Sequence, residues 1–253
     1  MGLILIPAEK SKPVKDFFDG FNEVILRLID LIMLVAPYGV FALLAALIVE
    51  SPSLDLFRAL GMYAMTLVIG LVVMGIFYLL LVKLFVKLKP KKFIEGIAPA
   101  QLLAFSTSSS AATLPVTMER VEEHLGVDEE VASFVLPIGA TINMDGTSLY
   151  QAVAAVFIAQ AFGMDLDAGT QLSIVMTATL ASIGAAAVPG AGMVMLVIVL
   201  AQAGIPEAGL ALIFAIDRPL DMCRTVINIT GDASVSLLVA KSTGKLSKHS
   251  KGK

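Results

Sequence analysis

Residues 217–232 of the chain read DRPLDMCRTVINITGD. This stretch lies inside an apolar segment, yet it carries three carboxylates and two guanidinium groups. At 100° per residue, six of its polar side chains fall within about 100° of the circumference of a helix. They are Asp217, Asp221, Arg224, Thr225, Asn228 and Asp232. Because lipid offers such side chains no partner, this helix must turn its polar stripe toward water or other protein groups.

The composition is that of a membrane protein. The 253 residues are 57% hydrophobic and 15% charged, with a mean hydropathy of +0.89, whereas soluble domains run near 45–50% apolar and about 25% charged. The net charge of −3 gives no support for nucleic-acid binding, and the single cysteine, Cys223, excludes an internal disulfide. Several uncharged runs approach the roughly 20 apolar residues that span a bilayer. The composition therefore predicts an all-α membrane protein built from transmembrane helices.

Two of the uncharged runs are interrupted by residues that break a helix. Residues 93–125 are interrupted at Ser106–Ser110, and Ala168–Pro206 at Ser182–Gly192. Each half is too short to cross about 30 Å at 1.5 Å per residue. Non-helical backbone at membrane depth is tolerated only where protein or a water-filled cavity satisfies it. We therefore expect two re-entrant helical hairpins.

Each predicted hairpin is followed by a helix that carries polar residues. Val131–Phe162, broken at Asn143–Thr147, follows the first hairpin after a charged loop at Glu119–Glu130, and Glu207–Lys241 follows the second. The same order occurs twice, which indicates an internal repeat. Paired interruptions of this kind point to the binding site of a transporter. The helices predicted before the first hairpin are Asp16–Glu50 and Asp55–Lys87.

Loop charges indicate how the two copies are oriented. The basic segments Lys10–Lys15, Lys83–Lys92 and Lys241–Lys253 are expected on the cytoplasmic side. The first hairpin then enters from the cytoplasm and the second from outside, so the repeat is inverted. We expect a multi-pass protein of the cell inner (plasma) membrane.

Arg224 is the costliest residue to bury, at about 2.5–3.5 kcal/mol on insertion scales. Asp217 and Asp221, seven and three residues earlier, are natural partners. These residues could form a closed ion-pair cluster that only packs helices. Alternatively, Asp217 holds the guanidinium so that it binds a carboxylate in two hydrogen bonds, and Asp221 binds an ammonium group. An acidic amino acid satisfies both.

Oxygen-bearing groups cluster at two further places. Asn228 and Asp232 are one helical turn apart, and Asn143 and Asp145 lie where the other polar helix unwinds and frees backbone carbonyls. Hard cations prefer clustered oxygen ligands of this kind. The amides and hydroxyls at Ser106–Ser110 are candidates for holding an anion.

At these residues the chain resembles the dicarboxylate/amino acid:cation symporter family, which includes the glutamate transporters. The motifs that carry the resemblance are SSSAATLPVT (108–117), NMDGT (143–147), SIGAAAVPGAG (182–192) and DMCRTVINITGD (221–232). The resemblance implies an elevator-type transport domain that carries substrate with sodium or protons past a scaffold. Family members are longer, so several scaffold helices are expected before Met1, and a homotrimer is expected where that scaffold is present.

The resemblance also implies roles for individual residues. Arg224 would bind the side-chain carboxylate of the substrate, Asp221 its ammonium group, and Asp217 would position Arg224. The remaining substrate residues would be Ser109, Ser110, Thr147, Val188, Gly192, Thr225 and Asn228. The first sodium would use Gly139, Asn143, Asn228 and Asp232. The second would use Thr141, Ser182, Ile183 and Ala185. A third would use Asn143 and Asp145 with residues of an earlier helix; no further cofactor is implied.

The chain is expected to divide into three parts. Residues 1–90 are the remaining N-terminal helices, which form part of the scaffold or support the transport domain. Residues 91–241 are the transport-domain core, and residues 242–253 a basic cytoplasmic tail.

The preferred function is secondary symport of glutamate or aspartate, and three alternatives stay open. A related symporter could carry C4-dicarboxylates or neutral amino acids, although Asp221 and Arg224 respectively argue against these. The chain could be a fragment that binds substrate without transporting it. Asp145 with Asp221 or Asp232 could also form an intramembrane aspartyl hydrolase, which needs two carboxylates about 3 Å apart that share a proton.

Overall fold

The computed structural model describes residues 54–247 continuously. Before them it describes residues 12–14, 16–17, 20–21, 23–24, 27–28, 31, 34–35, 38–39, 41–42 and 45, all helical. The chain divides into two compact units, Met1–Pro52 and Ser53–Lys253. Much of the predicted helix Asp16–Glu50, and the tail beyond Ser247, lie outside the described residues.

The described part of the second unit is built from helices joined by short turns and loops. Its helices are α1 (Leu54–Leu81), α2 (Pro90–Thr107), α3 (Ser110–Glu119), α4 (Glu129–Ile142), α5 (Asp145–Ala161), α6 (Ala168–Ile183), α7 (Ala191–Gln202) and α8 (Leu210–Ser242). π-Helical turns at Val82–Val86 and Arg120–His124 extend α1 and α3, and a 3-10 turn at Glu207–Gly209 precedes α8. No strand occurs between residues 54 and 247 beyond an isolated bridge that joins Val127 to Leu246. The predicted all-α class is confirmed.

Among the described residues, Phe57–Val86 is the one helix that is both long and apolar enough to cross a membrane by itself. The 28 residues of α1 reach about 42 Å at 1.5 Å per residue, and the π-helical turn continues it to Val86. Helices α6 and α7 are apolar but shorter. α8 is long enough, but it carries the polar stripe that begins at Asp217.

The break in the first hairpin is shorter than predicted. Ser106, Thr107 and Ser110 are helical, so only Ser108 and Ser109 interrupt the chain. Ser108 adopts a left-handed conformation with φ 53°. Ser109 caps α3, because its hydroxyl accepts a hydrogen bond from the Ala112 amide at 3.1 Å. A serine N-cap satisfies a free amide and lets a helix restart at once.

Other boundaries also differ from the sequence prediction. Asn143–Thr147 unwinds only at Asn143 and Met144, and the interruption in the second hairpin spans 184–190. The predicted loop Glu119–Glu130 is partly helical, because α3 continues to His124 and α4 begins at Glu129. Asp128 caps α4 through the Glu130 amide, at 3.0 Å.

A carboxylate also caps the helix that opens the second hairpin. Asp167 precedes α6, and one of its oxygens accepts a hydrogen bond from the Thr170 amide at 2.7 Å. This backbone hydrogen bond lowers the pKa of the Asp167 carboxyl. The ionised residue thereby stabilises the first turn of α6.

Helix α8 is the centre of the second unit, where it packs against α1, α2, α4 and α5. Its first half, with Ile213 and Leu220, belongs to an apolar cluster built from α1, α5, α6 and α7. Its second half, with Ala233 and Leu237, belongs to another cluster built mainly from α2, α4 and the segment that follows α1. The middle of the polar stripe lies between the two clusters.

Candidate functional site

Arg224 is buried, with 1% of its surface exposed. Its Nε donates to Asp221 Oδ1 at 2.8 Å, and its Nη1 and Nη2 donate to the two oxygens of Asp217 at 3.1 and 3.4 Å. Its Cζ stacks 3.7 Å from the centre of the Tyr150 ring. These contacts use three of the five guanidinium N–H groups. Two remain for a further acceptor.

A pocket lies between the hairpin tips, the start of α5 and the middle of α8. Seven of the predicted substrate residues line it: Ser110, Thr147, Val188, Gly192, Asp221, Thr225 and Asn228. Ser108, Met144, Ala186 and Ala187 complete the lining. The wall thus combines hydroxyl, amide and carboxylate groups with the backbone of the second hairpin.

Arg224 lies behind the pocket wall rather than on it. A Cβ placed on Gly192 would lie 3.5 Å from Arg224 Cζ and Nη2 and 3.0 Å from Thr147 Cγ2. The backbone of the second hairpin is therefore packed directly against the guanidinium.

The two hairpin tips are joined across the pocket. Ser109 Oγ donates to the Ala187 carbonyl at 2.7 Å, and the Ala111 amide donates to the same carbonyl at 3.4 Å. The Gly190 amide donates to Asp221 Oδ2 at 3.0 Å. Asp221 therefore receives one donor on each oxygen, and Arg218 Nη1 lies 3.8 Å from Oδ2.

Asn228 fixes the first turn of α5 against α8. Its Oδ1 accepts from the Gly146 amide at 2.8 Å, and its Nδ2 donates to Thr147 Oγ1 at 3.2 Å. One buried amide on α8 thus holds two consecutive residues of α5. This contact brings Thr147 into the pocket beside Asp221.

The residues predicted for the first cation also come together. Asn143 Nδ2 donates to Asp232 Oδ1 at 2.9 Å, and the Asn143 amide donates to the Gly139 carbonyl at 2.8 Å. A Cβ placed on Gly139 would lie 2.5 Å from Asp232 Oδ1. Gly139, Asn143 and Asp232 are thus neighbours one turn beyond Asn228.

The residues predicted for a second cation lie at the C-terminal ends of α4 and α6, which contact each other. Thr141 is in the last turn of α4, and Ser182 and Ile183 end α6. The Ala185 amide donates to the Ser182 carbonyl at 3.1 Å. The last carbonyls of a helix lack partners within it, so two such ends present oxygens that suit a cation.

Asp145 opens α5 and has a partner that the sequence prediction did not name. Tyr78 on α1 donates a short hydrogen bond from its hydroxyl to Asp145 Oδ2. Within the described residues, no group of three or more His, Cys, Asp or Glu side chains could hold a metal ion. The oxygens available to a cation therefore come from isolated carboxylates, amides, hydroxyls and backbone carbonyls.

Comparison with known families decides where the chain belongs. The sequence profile of the sodium:dicarboxylate symporter family matches residues 1–242. The chain belongs to this family.

Similar proteins from animals carry the name of one transporter group. The chain is 45% identical to the human excitatory amino acid transporter 2 over 227 residues, 89% of its own length. It is 49% identical to excitatory amino acid transporter 1 of Ambystoma tigrinum over 89% of its length, and 46% identical to mouse excitatory amino acid transporter 3 over 94%. The matched part covers 40%, 42% and 46% of these relatives, so the chain spans less than half their length.

In this family member, three side chains at the site escaped sequence reasoning. Tyr150 stacks on Arg224, Gln151 donates to the Gly192 carbonyl at 3.0 Å, and Tyr78 binds Asp145. Tyr150 and Gln151 lie three and four residues after Thr147, on the same face of α5, and this spacing could have identified them. For Tyr78 the available signal was a phenol hydroxyl in an otherwise aliphatic span.

Proposed function

We propose that this chain carries the substrate and cation sites of a secondary symporter. The substrate is an acidic amino acid, glutamate or aspartate. It moves with sodium or protons across the plasma membrane, and residues 91–241 form the mobile core of an elevator mechanism. The observation that carries the proposal is the buried Arg224, two of whose N–H groups remain beside a pocket lined by Asp221.

The electrostatics of the pocket favour a substrate with both charges. The guanidinium offers a planar pair of donors that matches a carboxylate. Asp221 Oδ2 accepts from the Gly190 amide, and a substrate ammonium would replace this neutral donor with a charged one. A C4-dicarboxylate has no group for Asp221, and a neutral amino acid has none for Arg224.

Binding then involves movement of the second hairpin. Gly190 and Gly192 contact Asp221 and Arg224 through backbone atoms only. A substrate that takes over these two partners must displace the tip, which then closes over it. We infer that residues 184–190 act as the gate and that both hairpins are re-entrant.

Cation coupling is inferred from the neighbouring oxygens. Asp232 lies one turn along α8 from Asn228, which itself lines the pocket, and both Asn143 and Gly139 lie against Asp232. A cation there would order the unwound residues 143–144 and, through Asn228, the first turn of α5. Sodium and substrate would thus stabilise the same arrangement, which is positive coupling.

An aspartyl hydrolase is less well supported by the same carboxylates. Asp145 accepts from Tyr78, Asp232 from Asn143, and Asp221 from Arg224. Each has its own donor, whereas a hydrolase pair shares one proton between two carboxylates.

The test is calorimetric titration of aspartate, glutamate and serine into the purified chain, with sodium and with choline in its place. We expect binding of the two acidic amino acids, at least tenfold tighter in sodium, and weak or no binding of serine. An aspartate affinity that is independent of both sodium concentration and pH would refute the cation coupling. Preferential binding of serine would refute the assigned substrate. Uptake into proteoliposomes would separate transport from binding alone.

A further inference from the structure

Tyr78 presents a polar group on a helix that is otherwise apolar. It lies in α1, is 5% exposed, and directs its hydroxyl to Asp145 Oδ2. Tyr63, in the same helix, is equally buried at 3%. Its hydroxyl, however, has no hydrogen-bond partner. Burial alone therefore does not explain the Tyr78 contact, because α1 holds one buried tyrosine with a partner and one without.

The Tyr78 hydroxyl lies where three segments of the chain meet. A Cβ added to Gly231 on α8 would lie 2.7 Å from Tyr78 Oη and 2.8 Å from Asn143 Nδ2. Only glycine at this position allows α1 and the unwound residues 143–144 to approach α8 so closely. The phenol therefore joins α1 both to the break between α4 and α5 and to α8.

Two carboxylates share this junction, and both have neutral donors. Asp145 accepts from the Tyr78 hydroxyl, and Asp232 accepts from the Asn143 amide. A hydroxyl on Oδ2 of Asp145 fixes the plane of the carboxylate and leaves Oδ1 for another ligand. Partners that orient a metal-binding carboxylate in this way change metal affinity by about 10–100-fold when they are removed.

We propose that Tyr78 is a positioning residue for cation binding at Asp145 and Asn143, and that it ties occupancy of this site to α1. The inference rests on the proposed cation coupling. Tyr78 orients Asp145 before the cation arrives, so its hydroxyl raises the sodium affinity. Because α1 otherwise contacts the core through apolar side chains, this hydrogen bond is the contact that couples cation binding to the helix.

The test compares Tyr78→Phe with Tyr63→Phe, which removes an equally buried hydroxyl from the same helix. The sodium concentration that gives half of the maximal thermal stabilisation is measured without amino acid, with choline holding ionic strength constant. We expect this concentration to rise about tenfold in Tyr78→Phe and to stay within twofold in Tyr63→Phe. In an Asp145→Asn background, Tyr78→Phe should have no further effect, because the two groups act together.

The outcomes separate the two proposals. If the parent chain does not respond to sodium, cation coupling fails, and the role of Tyr78 with it. If the parent responds and Tyr78→Phe matches Tyr63→Phe, only the role of Tyr78 is overturned. Should Tyr78→Phe fold poorly, Gly231→Ala serves in its place, because its methyl group would lie against both the Tyr78 hydroxyl and the Asn143 amide. An unchanged sodium requirement in that variant would overturn the inference.

Discussion

Arg224 is held in place by ion pairs with two aspartates rather than by contact with water. A buried guanidinium that lost one of its aspartates would leave an uncompensated charge, which costs several kcal/mol. Asp217 engages both Nη atoms and Asp221 engages Nε, while the Tyr150 ring covers one face. The side chain is therefore fixed before any substrate arrives, and a bound carboxylate loses little affinity to ordering it.

Replacing Arg224 by alanine should selectively weaken the binding of acidic substrates. The loss of a charged pair of hydrogen bonds, about 1.5–3 kcal/mol, weakens aspartate binding by about 10–150-fold. Serine binding, which does not use the guanidinium, should weaken less than aspartate binding. Calorimetric titration of both amino acids measures the difference. Arg218→Ala is the matched control, because this arginine of the same helix is 34% exposed in its side chain and lies 3.8 Å from Asp221. Equal aspartate affinities in the parent and the Arg224 variant would remove this residue from substrate binding.

For individual side chains, the sequence predicted contacts within one helix better than contacts between helices. The spacings from Arg224 to Asp217 and Asp221 follow from helical geometry alone, and both ion pairs are present. The contacts from Tyr150 and Tyr78 depend on how α5 and α1 are rotated against α8. No periodicity within a single segment specifies that rotation.

Helix α5 approaches α8 more closely than side chains would normally allow. A Cβ on Gly146 would lie 2.6 Å from the Arg224 carbonyl and 3.0 Å from Asn228 Oδ1. The same glycine donates its amide to Asn228. The position of Thr147 in the pocket thus depends on the absence of one methyl group.

Gly146→Ala should push α5 away from α8. The clash is with backbone, which cannot move aside as a side chain does, so we expect a loss of about 1–3 kcal/mol in the free energy of unfolding together with weaker aspartate binding. Denaturant unfolding in detergent measures the first quantity. Gly61→Ala in α1 serves as control, since nothing lies within 4 Å of its added methyl group; it should be neutral or stabilising by up to about 1 kcal/mol. Similar behaviour of the two variants would contradict the close packing.

The helical breaks were placed correctly from sequence, but their lengths were overestimated. Ser106–Ser110 and Asn143–Thr147 read as five-residue interruptions, whereas two residues interrupt each helix. Ser109 restarts α3 by capping it, and Asn228 of α8 holds the amide of Gly146. The first effect is local and is visible in the sequence. The second comes from a residue 82 positions away.

The second unit has two large apolar clusters and a polar seam between them, with a small third cluster of Ala100, Ala104 and Ile229. The second hairpin and α5 pack on the first half of α8, while the first hairpin and α4 pack on the second half. Across the seam, the hairpins meet through Ser109 and the Ala187 carbonyl. The pocket therefore opens where the two halves touch through hydrogen bonds rather than through a continuous core.

Ser109→Ala should loosen this contact between the halves. The variant loses the cap of α3 and the hydrogen bond to Ala187, about 1 kcal/mol for the cap alone. Amide exchange at residues 184–190 should accelerate by about tenfold, since 1.4 kcal/mol of local stability corresponds to that factor. Ser106→Ala is the control, because the Ser106 hydroxyl is bound within its own helix, to the Leu103 carbonyl. Equal exchange in the two variants would show that the tips move independently.

The central position of α8 has a consequence for biosynthesis. Every described helix that packs against it precedes it in the chain, so the ribosome delivers the centre of this unit after its surroundings. Until Asp217–Asp232 is synthesised, Asn143 lacks Asp232, and the Gly146 amide at the start of α5 lacks Asn228. The contacts that join the break at 143–144 to α8 therefore form late and over a long sequence separation. We therefore expect the pocket to take shape only after α8 has been made.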